Sequence, residues 1–272
     1  MMNSSWLYEL ILLIHSLSLI GYIVYFISSN WKIKRVSFWL FVTVWSMQTI
    51  SIIFEMIVTK SFPIMNLNDG IYFYAWILLT FTFMLNRFLQ VHFIVLFANV
   101  FAYFMMALSI LLNAGQQSIG RSSELMHEIL IAHITTSILS YGFFTLSFLL
   151  ATMYLIQYYL LKKKKGLKAM WRFSNLDRLD LLSYYAVVTG VPLLLIGLIL
   201  GVVWAYVSGE IFYWYDLKTI GSIVLLVIYS FYLILRQDRK LTNKSKSIYS
   251  SATFLVLLVN FFLFSVLSNF HF

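Results

Sequence analysis

Eight apolar stretches, at roughly 6–28, 37–58, 70–87, 91–112, 129–161, 182–206, 217–236 and 248–270, dominate the chain. Each reaches or nearly reaches the ~20 residues with which an α-helix crosses about 30 Å of hydrocarbon. Backbone groups in lipid find no water and must pair internally, so such stretches are helices; the alternation of a β-barrel strand is absent. Hydrophobic residues make up 61% of the chain and charged ones 11%. The mean hydropathy of +0.87 lies outside the soluble range. The expected fold is an all-α integral membrane protein, a bundle of about eight transmembrane helices forming a single polytopic domain over 1–272. With two prolines and no low-complexity tract, no linker is expected. The first stretch lacks a basic leader and a small-residue cleavage site, and reads as a retained span. The 129–161 stretch is too long for one perpendicular crossing and is expected to protrude as an amphipathic continuation.

Orientation follows from the basic residues. All but Lys60, Arg121 and Lys218 of the nineteen Lys and Arg fall in the connections 29–36, 86–91, 162–181 and 236–247. All but Asp177, Asp180 and Asp238 of the ten acidic residues lie toward the opposite side. Loops rich in Lys and Arg stay in the cytoplasm, so both termini are expected to be extracytoplasmic. The net charge of +9 is then a matter of topology and of attraction to anionic lipid headgroups, rather than of nucleic acid binding. The segment 162–181 is the one sizeable cytoplasmic feature. Its Leu167, Met170, Trp171 and Phe173 among lysines and arginines suit an interfacial amphipathic helix, or alternatively a docking site for a soluble partner.

The chain has no cysteine, which excludes disulfides, thiolate metal sites and covalent attachment of haem through CxxCH. There is no nucleophile elbow, P-loop, HExxH or intramembrane carboxylate pair, so no enzyme activity is expected from the residues themselves.

Polar groups inside a bilayer are costly and become candidates by default. His133 lies four residues into the fifth stretch, with Thr136, Ser137 and Ser140 at offsets of three, four and seven on one helical face. That face is expected to point into the bundle. It either orients the imidazole as an iron ligand or supplies hydrogen bonds that glue helices together. His271, the penultimate residue, emerges on the same side, and two opposed imidazoles suit a low-spin haem iron. Between them runs Val203-Trp204-Ala205 through Tyr213-Trp214-Tyr215-Asp216. Its rings form either an interfacial aromatic belt or a shelf for a porphyrin. His127, beside Glu124 and Glu128, reads as a solvated residue of a 113–128 loop. His92 reads as interfacial, and His15 as a buried mid-span imidazole that binds a second haem, relays protons or is simply satisfied in the core. Gly197 and Gly201 form a GxxxG packing pair, with Gly190 and Pro192 before it.

These residues resemble a known family. The run His133-Ile134-Thr135-Thr136-Ser137-Ile138-Leu139-Ser140-Tyr141 is similar to the HVTTMxLSYA segment of the cytochrome c assembly membrane proteins. Phe62-Pro63-Ile64-Met65-Asn66-Leu67, with Asp69 and Trp76, resembles their FPLSNLYES…W run. The stretch from Val203 to Lys218, continuing through Tyr229, Tyr232, Leu233 and Arg236, resembles their tryptophan-rich haem-binding region, and His271 stands where their final external histidine does. The resemblance covers about 60–272. Several positions depart from it. Gly209, Tyr213 and Tyr215 replace tryptophan, Glu210 replaces glycine, and Ile234 replaces a transmembrane histidine of the synthetase members. That pattern is similar to the branch found with haem biosynthesis genes in Gram-positive bacteria. The resemblance implies a multi-pass protein of the bacterial cell membrane that lowers the level of glutamyl-tRNA reductase. It further implies haem b held by His133 and His271 under Trp204, Tyr213, Trp214, Tyr215 and Asp216. The alternative it leaves open is a haem-delivery subunit of a cytochrome c synthetase.

Overall fold

The computed structural model describes residues 5–59, 62, 67–88, 92–113, 124–163, 175–208, 217–237 and 241–264. Every described element is helical: α1 (Ser5–Ser28), α2 (Trp31–Thr59), α3 (Leu67–Phe88), α4 (His92–Asn113), α5 (Glu124–Lys162), α6 (Leu176–Ser208), α7 (Leu217–Gln237) and α8 (Asn243–Leu258). A π-helical turn, Val259–Phe264, continues α8. Six of the eight (α1, α2, α5, α6, α7 and α8 with its continuation) are long and apolar enough to cross a membrane, and α4 has a shorter apolar stretch, Val95–Leu111. The eight expected stretches each coincide with a helix, residue 91 of the fourth and residues 265–270 of the eighth lying outside the described residues. The chain is an all-α membrane protein.

The helix ends show what hydropathy misses. α2 begins six residues before its apolar stretch and takes in Lys32, Lys34 and Arg35. The Lys34 ammonium lies 4.5 Å from the Trp31 ring centre, so a long side chain reaches back over an aromatic while its helix continues. α8 likewise starts early, at a Thr242 N-cap whose hydroxyl accepts from the Ser245 N–H. α5 runs for 39 residues, about 58 Å, and so exceeds the bilayer as expected. It starts at Glu124, so His127 and Glu128 belong to a helix and not to the expected loop.

Two compact units divide the chain, Met1–Gly120 and Arg121–Phe272. In the first, α1 and α2 form a hairpin turned at Ser29, a non-glycine residue with φ of 56°. Ser18 on α1 donates to the Ser37 carbonyl on α2 at 3.0 Å, and Gly21 abuts the Ser37 side chain. α2 and α3 exchange tryptophan and threonine: Trp45 Nε1 donates to Thr80 Oγ1 (3.0 Å) and Trp76 Nε1 to Thr49 Oγ1 (2.9 Å). Each indole N–H is thus satisfied where water is scarce.

In the second unit, α5 and α6 share the most extensive interface. Lower down, Ser147 on α5 joins Ser183 on α6 (2.9 Å) and Ser250 on α8 (3.0 Å). Phe144 stacks on Tyr229 of α7 with ring centres 3.7 Å apart. Asn260, in the π turn, donates to the Tyr141 and Ser222 hydroxyls at 2.9 and 3.3 Å. Interhelical hydrogen bonds in membranes average about 0.6 kcal/mol, so this unit depends as much on close ring packing as on its polar ties. Asp180 at the start of α6 and Arg236 at the end of α7 form a 2.6 Å ion pair, with side chains only 12% and 10% exposed. The same guanidinium donates to the Asp180 carbonyl and the Tyr232 hydroxyl and lies over the Tyr184 ring.

Candidate functional site

The upper part of α5 and the later part of α6 run antiparallel and meet along a strip of small residues. Gly190, Leu194, Gly197, Gly201 and Ala205, at steps of three and four, form a buried face of α6. Opposite them lies the polar face of α5. His133 Nδ1 sits 2.6 Å from the Gly197 carbonyl. Ser140 donates to the Gly190 carbonyl at 2.8 Å. Seven residues on one helix therefore match seven on the other.

The glycines are not interchangeable with alanine here. A Cβ at Gly201 would lie 2.7 Å from His133 Cε1 and 2.9 Å from Nδ1, and one at Gly197 would lie 2.6 Å from Ser137 Oγ. The imidazole thus occupies a niche that exists because Gly201 has no side chain, while Gly197 leaves room for Ser137 in the same way. Read separately, the GxxxG pair and the histidine face were a packing signal and a chemical one; they are two halves of one interface. Thr136 turns back to its own helix, donating to the Ala132 and His133 carbonyls.

The niche also sets the tautomer. A carbonyl oxygen only accepts, so Nδ1 carries the hydrogen, and the neutral ring then has its lone pair on Nε2. This is how ligating histidines are commonly oriented, with one ring nitrogen tied to a backbone carbonyl and the other left as the donor to a metal. A bis-imidazole haem needs only two such nitrogens, because the porphyrin supplies the remaining four. Among the described residues no three of His, Cys, Asp and Glu gather to hold a bare metal ion.

Trp204 lies one position off the glycine face, half-buried, whereas Tyr206 is 83% exposed. Tyr213, Trp214, Tyr215, Asp216 and His271 lie outside the described residues, as does most of the 162–181 segment. The side chains of His92 and His127 do as well. His15 is fully buried and does have a polar partner, Asn99 on α4, which faces its Nε2 at 2.7 Å. That partner lies 84 positions away, and no periodicity of α1 could announce it.

Comparison with known proteins identifies the family. The chain is 45% identical over 260 residues to protein HemX of Bacillus subtilis, an alignment covering 96% of this chain and 94% of that one. It is 32% identical over 267 residues to protein HemX of Brevibacillus brevis, covering 98% and 97%. The cytochrome c biogenesis protein CcsA of Chlamydomonas reinhardtii is 28% identical over 206 residues, which is 72% of this chain and 56% of that one. No solved structure matches. It is a multi-pass bacterial membrane protein. Residues 64–271, which hold the glycine niche and both candidate histidines, match the family model described as cytochrome C assembly protein, and the chain therefore belongs to this haem-handling family.

Proposed function

We propose that the chain regulates haem biosynthesis from the bacterial cell membrane, lowering the level of glutamyl-tRNA reductase in response to haem b bound near the extracytoplasmic rim. His133 and His271 would hold the haem iron in this reading. Trp204, Tyr213, Trp214, Tyr215 and Asp216 would make up the rest of the haem-binding set. With both termini extracytoplasmic, the basic 162–181 segment faces the cytoplasm and is where the reductase docks. Bound haem would supply the signal; the residues of this chain orient, cover and hold it.

The observation that carries the reading is the His133 imidazole fixed by Gly197 in a niche cleared by Gly201. The hydrogen bond to Gly197 orients the ring as a ligating histidine is oriented. The regulatory role is supported by the full-length alignment to two HemX proteins, against a partial one to CcsA. Ile234, in place of the transmembrane histidine of synthetase members, points the same way.

Absorption spectra of the detergent-purified protein test ligation. A Soret band is expected that weakens and shifts in His133→Ala and in His271→Ala; a band indifferent to both removes these ligands from the reading. The similarity to CcsA keeps one rival, a haem-delivery subunit of a cytochrome c synthetase. A deletion strain separates the two: raised reductase with normal c-type cytochromes supports the regulator, and loss of mature c-type cytochromes supports the rival.

A further inference from the structure

The hairpin of α1 and α2 carries a charged and aromatic surface that the haem reading does not use. No acidic residue occurs between Glu9 and Glu55, which stand at the ends of the two helices remote from the turn at Ser29. Lys32, Lys34 and Arg35 follow that turn at the start of α2. Because the helix begins before its apolar stretch, these cations hold fixed angular positions instead of sharing the freedom of a loop. The Lys34 ammonium lies over aromatic rings, 4.5 Å from the centre of Trp31 and 5.8 Å from that of Tyr25 on α1. Lys32 and Arg35 are exposed, and neither forms an ion pair among the described residues.

Their positions repeat with the helix. Lys32, Arg35, Val36 and Trp39 share one face of α2, and all four are exposed, Trp39 by 62%. Trp39 lies about 6 Å further along the axis than Arg35, at 1.5 Å per residue. The same face then runs on into the span as hydrocarbon, through the exposed Ile50, Ile53, Phe54 and Ile57. Cations, an indole and an apolar stripe therefore succeed one another along one line. A soluble polyanion would meet the two cations and leave the stripe uncovered. An apolar helix would cover the stripe and leave the cations without a counter-charge. A phospholipid of net negative charge meets every part, with phosphate at the cations, ester groups at the depth indoles favour, and an acyl chain beyond.

We propose that this face of α2 binds one anionic phospholipid, its headgroup held by Lys32 and Arg35 and its glycerol region seated on Trp39. Lys34, engaged with Trp31 and Tyr25, ties the start of α2 to α1 and so keeps the two outer cations in place. The site belongs to the first unit and is independent of any haem at His133.

The test uses the full-length protein in phosphatidylcholine vesicles in which a minor fraction of the lipid is brominated near the ester end of its chains, since bromine quenches tryptophan on contact. The chain has eight tryptophans, so the share of Trp39 is the difference between wild type and Trp39→Phe, or Trp39→Tyr should that variant not accumulate. Brominated phosphatidylglycerol is expected to quench that share more than the same fraction of brominated phosphatidylcholine. The preference should be roughly fivefold for each cation, which is about 1 kcal/mol. It should disappear when Lys32→Gln and Arg35→Gln are combined. Glycerol phosphate, a headgroup without a tail, should leave it in place at the concentration of the brominated lipid. Equal quenching by the two lipids in the wild type overturns the proposal without recourse to the charge variants. A preference that survives the combined substitution removes the headgroup from these residues, and displacement by glycerol phosphate would assign the site to a free phosphate instead of a lipid.

Discussion

Replacing Gly201 by alanine reverses the sign that helix physics would otherwise give. Alanine in place of glycine inside a helix ordinarily gains about 0.5–1 kcal/mol. Here the added methyl carbon would lie 2.7 Å from His133 Cε1. Carbon atoms rest at about 3.5–4.0 Å, so the approach is too close by roughly 0.8 Å or more. The ring cannot simply swing aside, because Nδ1 is bound to the Gly197 carbonyl at 2.6 Å. Overpacking costs about 1–3 kcal/mol, and sacrificing the hydrogen bond instead costs up to about 1.7 kcal/mol. Gly201→Ala should therefore destabilise the protein by about 1–3 kcal/mol. With His133→Ala already in place the obstacle is gone, and the same change should be neutral or stabilising by up to about 1 kcal/mol. A double-mutant cycle thus expects a coupling of about 1–4 kcal/mol. Denaturant unfolding of the purified chain in mixed micelles, followed by helical circular dichroism, measures all four corners. An equal cost in both backgrounds would refute the niche.

Gly190→Ala should cost more than an average core change, about 2–3 kcal/mol in the same assay, because the new methyl meets the Phe144 ring at 2.6 Å and that ring is already stacked on Tyr229. Wild-type stability in this variant would show that α5 and α6 can separate freely there. Asp180→Leu should cost about 3–5 kcal/mol by leaving the Arg236 guanidinium buried without its carboxylate, and adding Arg236→Met should recover much of the loss. Strictly additive effects of those two changes would show that solvent reaches the pair.

The spans were legible because hydrocarbon thickness imposes length and composition on each helix separately. The polar face of α5 was legible for a related reason, since His133, Ser137 and Ser140 repeat with the helix. Their partners were not. Which helix lies opposite, and at what register, is a property of two segments at once, so neither the Gly197 carbonyl beneath His133 nor Asn99 beside His15 follows from a one-dimensional pattern. The early start of α2 escaped because Lys32, Lys34 and Arg35 lower the hydropathy without breaking the helix. The second candidate ligand, His271, and the aromatic run Tyr213 to Asp216 lie outside the described residues and rest on the sequence pattern and the resemblance.

The matched contacts between α5 and α6 also act as a vernier. His133 and Ser140 find the Gly197 and Gly190 carbonyls at one common setting, with Ser137 seated between them against Gly197. A slide of α5 by one residue, about 1.5 Å, would misalign both bonds at once and drive side chains into the glycine niche. The depth of the imidazole in the bilayer is therefore fixed relative to α6, and it can change only if the two helices travel together as one rigid pair.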